Sequence, residues 1–127
     1  MSGSDASGDP LDGEVLLMAG AKASVAPERL PALVDRVQAD LGPRIDEYRR
    51  RYECVHEDDD RAAFLADADH WERVGEELDL HRRERDALAR AHAEQVRRIG
   101  RKTDREAAMD SALEIRSAVV VGTSSEE

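Results

Sequence analysis

The stretch Tyr52-Glu53-Cys54-Val55-His56-Glu57-Asp58-Asp59-Asp60-Arg61-Ala62-Ala63-Phe64-Leu65 decides how this chain is to be folded. Two readings compete for it. In one, a helix carries Ile45, Tyr48, Tyr52 and Val55 at spacings of three and four. The acids from Glu57 to Asp60 then end it, or cap the next element. In the other, Tyr52–His56 and Arg61–Leu65 are short strands joined by the acidic turn. β-Branched residues are scarce here, so the helix is the preferred reading. The expected fold is mainly α: a compact bundle of four to six helices, with one small β-hairpin near residues 52–65 as the alternative.

Upstream, Glu14–Val25 fits a short helix or a buried strand, periodicity not arbitrating at this length, and its alanines favour the helix. Pro27 and Pro31 suit the first turn of a longer one. Leu30, Leu33, Val34, Val37 and Leu41 are its apolar stripe. Gly42-Pro43 marks a boundary, glycine suiting the residue after one helix and proline the first turn of the next. Downstream, Asp67 or Asp69 can cap a helix bearing Trp71, Val74 and Leu78, which Asp79-Leu80 breaks. A long helix follows from about Arg82 to Arg101, with Leu88, Ala91, Val96 and Ile99 on one side. Thr103 and Glu106 have capping-box spacing before a helix presenting Met109, Ala112 and Leu113. Ser117–Val121 is valine-rich and suits an extended end. One domain is expected over residues 14–122. Residues 1–13 and 123–127 are Ser-, Gly- and acid-rich and read as disordered tails.

Charge says more about the solvent than about the task. Lys22 and Lys102 are the only lysines among 19 basic residues, against 29 acids and a net charge of −10. In dilute salt such a charge opposes compaction, and at molar ionic strength it is screened. Arginine keeps a positive partner available with a weakly hydrated, planar head. The composition resembles that of cytoplasmic proteins from salt-in halophiles. The plainer alternative is an acidic protein from a GC-rich genome. Cys54 is the sole cysteine, which fits a reducing compartment. The run Val15–Ala19 is too short to span a bilayer, and no basic residue precedes it as a secretory signal would require.

Val74-Gly75-x-x-Leu78-Asp79-Leu80, followed by Arg82, Arg83 and Leu88, resembles the helix-turn-helix signature of DNA-binding regulators. The resemblance implies a unit over residues 71–98, with Arg82, Arg83 and Arg90 facing DNA. Asp79 stands where that signature has glycine, Arg85 where it has an aliphatic residue, and Glu84 and Asp86 oppose phosphate. Two helices packed through a tight turn explain the same residues.

Four histidines, Cys54 and the acid run invite a metal or thiol reading centred on Cys54 and His56. No pair has the spacing zinc sites use, and Asp58–Asp60 lacks the ligand alternation of a calcium loop. No phosphate loop or nucleophile elbow is present. No catalytic residue, cofactor or metal is therefore assigned. The remaining feature is the stripe Leu41, Ile45, Tyr48, Tyr52, Val55. It is either a buried face or a protein–protein seam, with Ile45, Tyr48 and Tyr52 as its anchors. The expected function is a non-enzymatic cytoplasmic interaction or regulatory domain of a halophile, acting through a helical surface on a protein partner or on a second copy. A DNA-binding regulator is the first alternative, and a thiol- or metal-dependent enzyme the second. A membrane role is not expected.

Overall fold

The stretch from Tyr52 to Leu65 is the hairpin. In the computed structural model, which describes residues 10–26 and 28–123, the elements in chain order are α1 (Gly13–Ala23), α2 (Arg29–Leu41), a 3-10 turn (Gly42–Arg44) and α3 (Ile45–Arg51). There follow β1 (Glu53–Glu57), β2 (Arg61–Ala66), α4 (His70–Glu77), α5 (Arg82–Lys102), α6 (Glu106–Ala112) and β3 (Ser117–Gly122). The chain is mostly helical, with a small antiparallel sheet ordered β1-β2-β3. The preferred all-helical reading of residues 45–55 is thus corrected. α3 stops at Arg51, and Tyr52 is already extended at φ −124°, ψ 158°.

Packing explains why strands form where β-propensity is poor. β2 is the central strand, and Ala62 to Ala66 are all buried. A strand covered on both faces needs apolar bulk on both sides, not alternation. Its partner supplies the β-branched residues: Phe64 faces Val119, Ala63 faces Val120 and Ala62 faces Val121. The small alanines leave room for helices against the sheet. On the other side, β1 pairs through Cys54↔Phe64 and His56↔Ala63, with a bulge at Val55. The bulge turns Val55 inward while Cys54 stays exposed. The acidic run is the hairpin turn. Asp58 Oδ1 accepts from the Asp60 and Arg61 backbone N–H groups at 2.8 and 3.0 Å.

β3 has a free edge, and side chains close it. The Trp71 indole N–H donates to the Ala118 carbonyl at 3.0 Å. The Val120 N–H donates to His92 Nδ1 at 2.9 Å. Gln38 donates to the Val120 carbonyl at 2.7 Å and accepts from the Gly122 N–H at 2.9 Å. Three side chains from three helices stand in for a missing strand, which meets the obligation of buried backbone polar groups.

α5 packs against α1, β3, α4 and α6 and is the central helix. Leu88, Ala91 and Val96 are fully buried and Ile99 nearly so, as their spacing predicts. Several stops differ from expectation. Gly42 is right-handed helical, so the boundary at Gly42-Pro43 is a tightened turn and not a left-handed glycine stop. The left-handed positions are Ser24, Asp79 and Asp104, with φ of 61°, 58° and 61°. Each lets a following N–H return to a carbonyl of the last turn: Val25 to Gly20, Leu80 to Gly75, Arg105 to Gly100. The Thr103–Glu106 capping box does not form. Thr103 ends α5 instead, its hydroxyl donating to the Ile99 carbonyl at 2.8 Å. The box occurs at the start of α5, where Glu84 accepts from the His81 N–H at 3.0 Å.

The expected tails lie outside the described residues at 1–9 and 124–127, as does Pro27. Of residues 10–13, read as tail, Pro10 and Leu11 are buried and Asp12 is half-buried. Leu11 is buried in the core. The Asp12 N–H donates to Gln95 Oε1 at 2.7 Å, and Gln95 donates back to the Asp12 carboxylate at 3.2 Å. No helix of the described residues is long and apolar enough to cross a membrane.

Candidate functional site

The seam expected from Ile45, Tyr48 and Tyr52 is largely internal. Tyr48 is 4% exposed, and Ile45 and Tyr52 are half-buried against the same core. The Tyr48 ring meets Tyr52 and Phe64 edge-on, with centroids 5.2 and 6.0 Å apart. Its hydroxyl lies 2.7 Å from His70 Nε2. From there a file of rings crosses the core: His70 to Trp71 at 4.7 Å, Trp71 to His92 at 4.5 Å. Burial pushes the Tyr48 phenol up to about 12 and, aided by Arg73 and Arg44, His70 down to about 4. Burial also takes His92 down to about 3, with His70 adding to the effect. Both imidazoles are neutral at pH 7. Sequence reading singled out neither; a histidine on an otherwise apolar helix face is the signal each carries.

The helix-turn-helix-like corner is present as a corner. α4 and α5 meet through the Asp79 turn. Gly75 is small because the Arg85 side chain crosses it, and a Cβ there would lie 2.5 Å from Arg85 Nε. Arg82, Arg83 and Arg90 are all exposed. Arg90 is held by Asp86 at 2.8 Å. Further along α5, Arg97 pairs with Glu94 and Asp110, and Arg101 with Glu94 and Glu106. From Arg90 to Arg101 the arginines of this helix are paired with acids, whereas phosphate binding needs unspent cations.

Cys54 and His56 do not form a pair. The thiol donates to the His56 carbonyl at 3.4 Å, while the imidazole turns to Asp58 at 2.8 Å and holds that carboxyl below its usual range. Among the described residues, no three His, Cys, Asp or Glu side chains converge as a metal site requires.

The surface that sequence reading missed lies between α1 and α5. Leu17 and Met18 are 62% and 42% exposed. Met18 and Ala19 line one wall of a groove of about 270 Å³, and Ala89 and Ala93 the other. Lys22, Arg90 and Arg97 rim it, with Glu94 as the acid among them. Lys22 has no ion-pair partner among the described residues. Sequence reading placed a short helix here on its alanines. That α1 buries only one face, because it is a single short helix on the surface of α5, was not legible.

A family model described as "Domain of unknown function (DUF8048)" matches residues 9–123. The chain belongs to that family. No curated protein and no solved structure matches it. The match covers the described fold almost end to end, including Asp12 and Leu11 at its start and β3 at its close.

Within this DUF8048 domain the strongly shifted ionisable groups are enclosed, and their bonds go to the sheet edge and to one another. The open chemistry is apolar contact framed by Lys22 on α1 and by ion-paired arginines on α5. Arg29 and Glu84 brace the neighbouring corner. Burial opposes ionisation of Glu84, but the His81 N–H and Arg29, at 2.8 Å, hold its carboxyl below the usual range.

Proposed function

We propose that this DUF8048 domain is a non-enzymatic interaction module, working in the cytoplasm of a cell with high internal salt, that docks a protein partner on the helical face formed by α1 and α5. The observation that carries this reading is the exposure of Met18 on the wall of a groove that Ala19, Ala89 and Ala93 also line, with Leu17 exposed next to it in the chain. In a chain with 38% charged residues, an exposed methionine on the wall of an alanine-lined groove marks a contact surface for a covering partner. Lys22, the rim cation outside any ion pair among the described residues, suits a partner whose apolar anchor is flanked by a carboxylate. At molar salt such charges guide register more than they add affinity, so the apolar contact carries the binding.

The regulator reading draws less support. Arg82 and Arg83 remain exposed at the start of α5, but the arginines beyond them are spent on Asp86, Glu94, Glu106 and Asp110.

The test is affinity capture in molar KCl with wild type and a Leu17→Glu/Met18→Glu variant. The expected result is a partner retained by wild type, lost by the variant, and an unchanged melting midpoint. Light scattering on the same pair identifies the partner as a second copy if a dimer mass falls to a monomer. Equal capture by both proteins would end this reading.

A further inference from the structure

Among the described residues three large apolar side chains are exposed: Leu17, Met18 and Ile115. The first two belong to the docking face on α1. Ile115 is 72% exposed, more than either, and stands on the turn between α6 and β3. Its neighbours are Tyr52, Leu65 and Ala66, none of which lines the α1–α5 groove. A chain therefore does not fill its own groove with Ile115.

The turn holds Ile115 outward on a fixed backbone. α6 ends at Ala112 and β3 begins at Ser117. Between them the Glu114 N–H donates to the Ser111 carbonyl at 3.2 Å, and the Ile115 and Arg116 N–H groups donate to the Ala112 carbonyl at 3.2 and 3.0 Å. The Arg116 side chain is tied to Glu53 on β1 at 2.8 Å. An anchor on a turn already ordered from both sides loses little backbone freedom when it docks.

The charges beside Ile115 answer those at the groove. Arg116 is spent on Glu53, whereas Glu114 is exposed and has no ion pair among the described residues. Glu114-Ile115 is thus an apolar anchor with one open carboxylate next to it. At the groove, Arg90 and Arg97 are paired with acids, and Lys22 is the open cation. The groove, about 270 Å³, has room for one branched aliphatic side chain, and the unbranched Met18 can adapt its wall to that shape. Two copies of a chain carrying −10 repel in dilute salt. At molar ionic strength the Debye length falls to about 3 Å, and the apolar contact decides.

We infer that the occupant of the α1–α5 groove is a second copy of this chain, whose Ile115 enters between Met18 and the alanines of α5 while Glu114 faces Lys22. The inference rests on the docking reading and names the partner of that face. The contact joins unlike patches, so every copy carries one anchor and one groove. Reciprocal seating about a two-fold axis closes a dimer, and one-way seating builds a longer array.

Light scattering on the full chain in molar KCl, over a range of protein concentrations, tests this with two single variants. Wild type is expected to exceed the monomer mass. Ile115→Glu alone and Met18→Glu alone are expected to be monomers with unchanged melting midpoints, since both side chains are exposed. An equal mixture of the two is expected to regain a dimer mass, because the Met18→Glu chain brings an intact anchor and the Ile115→Glu chain an intact groove. A variant that failed to fold could not supply its half. A monomeric wild type, an Ile115→Glu variant that associates as wild type does, or a mixture that stays monomeric overturns the inference. Affinity capture separates this from the docking reading. If Ile115→Glu retains a foreign protein that Met18→Glu loses, the face docks a partner and the second copy is overturned as its occupant. If neither mass nor capture responds to Met18→Glu, both readings fall.

Discussion

At the scale of single residues, two glycines separate a cheap substitution from a costly one. A Cβ on Gly75 would meet only the Arg85 side chain, which can swing aside. A Cβ on Gly100 would lie 2.9 Å from Met109 Cγ and 3.3 Å from the Glu106 Cα, so the backbone of α6 stands in its way. Gly100→Ala is expected to cost about 1–3 kcal/mol, as overpacking does. Gly75→Ala is expected to stay within about 1 kcal/mol of wild type, because alanine's helix preference offsets the displaced arginine. Urea unfolding of the two variants checks both. Equal losses would mean that Arg85 is as immovable as α6.

At the scale of elements, the edge of β3 is held by side chains and not by a strand. Gln38 satisfies two backbone groups at once, the Val120 carbonyl and the Gly122 N–H. Gln38→Met keeps much of the volume and removes both bonds. The expected loss is about 1–3 kcal/mol, with faster hydrogen exchange confined to the end of β3. A uniform rise in exchange across the sheet would show that the edge and the interior open together. His92 works at the same edge as an acceptor, which only the neutral ring can be. His92→Asn places an amide oxygen near the Nδ1 position and retains the bond without the titration.

At the scale of the whole molecule, pH and salt act through groups already described. His70 and His92 have pKa values near 4 and 3 in the folded chain and about 6.5 unfolded. Between those values the unfolded state binds more protons, so stability falls as pH falls. It is fully present above about pH 6.5 and drains away toward pH 4 and 3. The depressed Glu84 carboxyl works in the same direction at lower pH. Urea titrations from pH 7.5 to 4.5 are expected to show this loss, with a shallower slope in His92→Asn. A profile flat to pH 4.5 would mean that the histidines are not buried in solution. Net charge of −10 predicts a melting midpoint that rises between about 0.1 M and 2 M KCl as repulsion is screened. Screening alone predicts that potassium gluconate does the same. A midpoint that falls with salt would remove the high-salt part of the proposed function.

Local pattern determined much of this protein by itself. Helical spacing located α2, α4 and α5, alanine content favoured α1 as a helix over a strand, and proline and glycine located the boundary at residues 42–43. Valines marked Ser117–Val121 as extended. The residues of the hairpin were visible too, but not their choice between helix and strand. Tyr48, Tyr52 and Val55 fit a helical stripe as well as they fit the end of one helix and the start of one strand. Only the tertiary structure decided it, because β3, some fifty residues further on, supplies the valine face that makes Ala62–Ala66 a central strand. Non-local pairing leaves no trace in a local window. The same reason hid the ring file and the docking face. His92 meets Trp71, and Tyr48 meets His70, from other elements, and the groove beside Met18 exists only because α1 lies across α5. Periodicity shows that a face is apolar. Which neighbour covers it, and how much stays open, is settled when the elements pack.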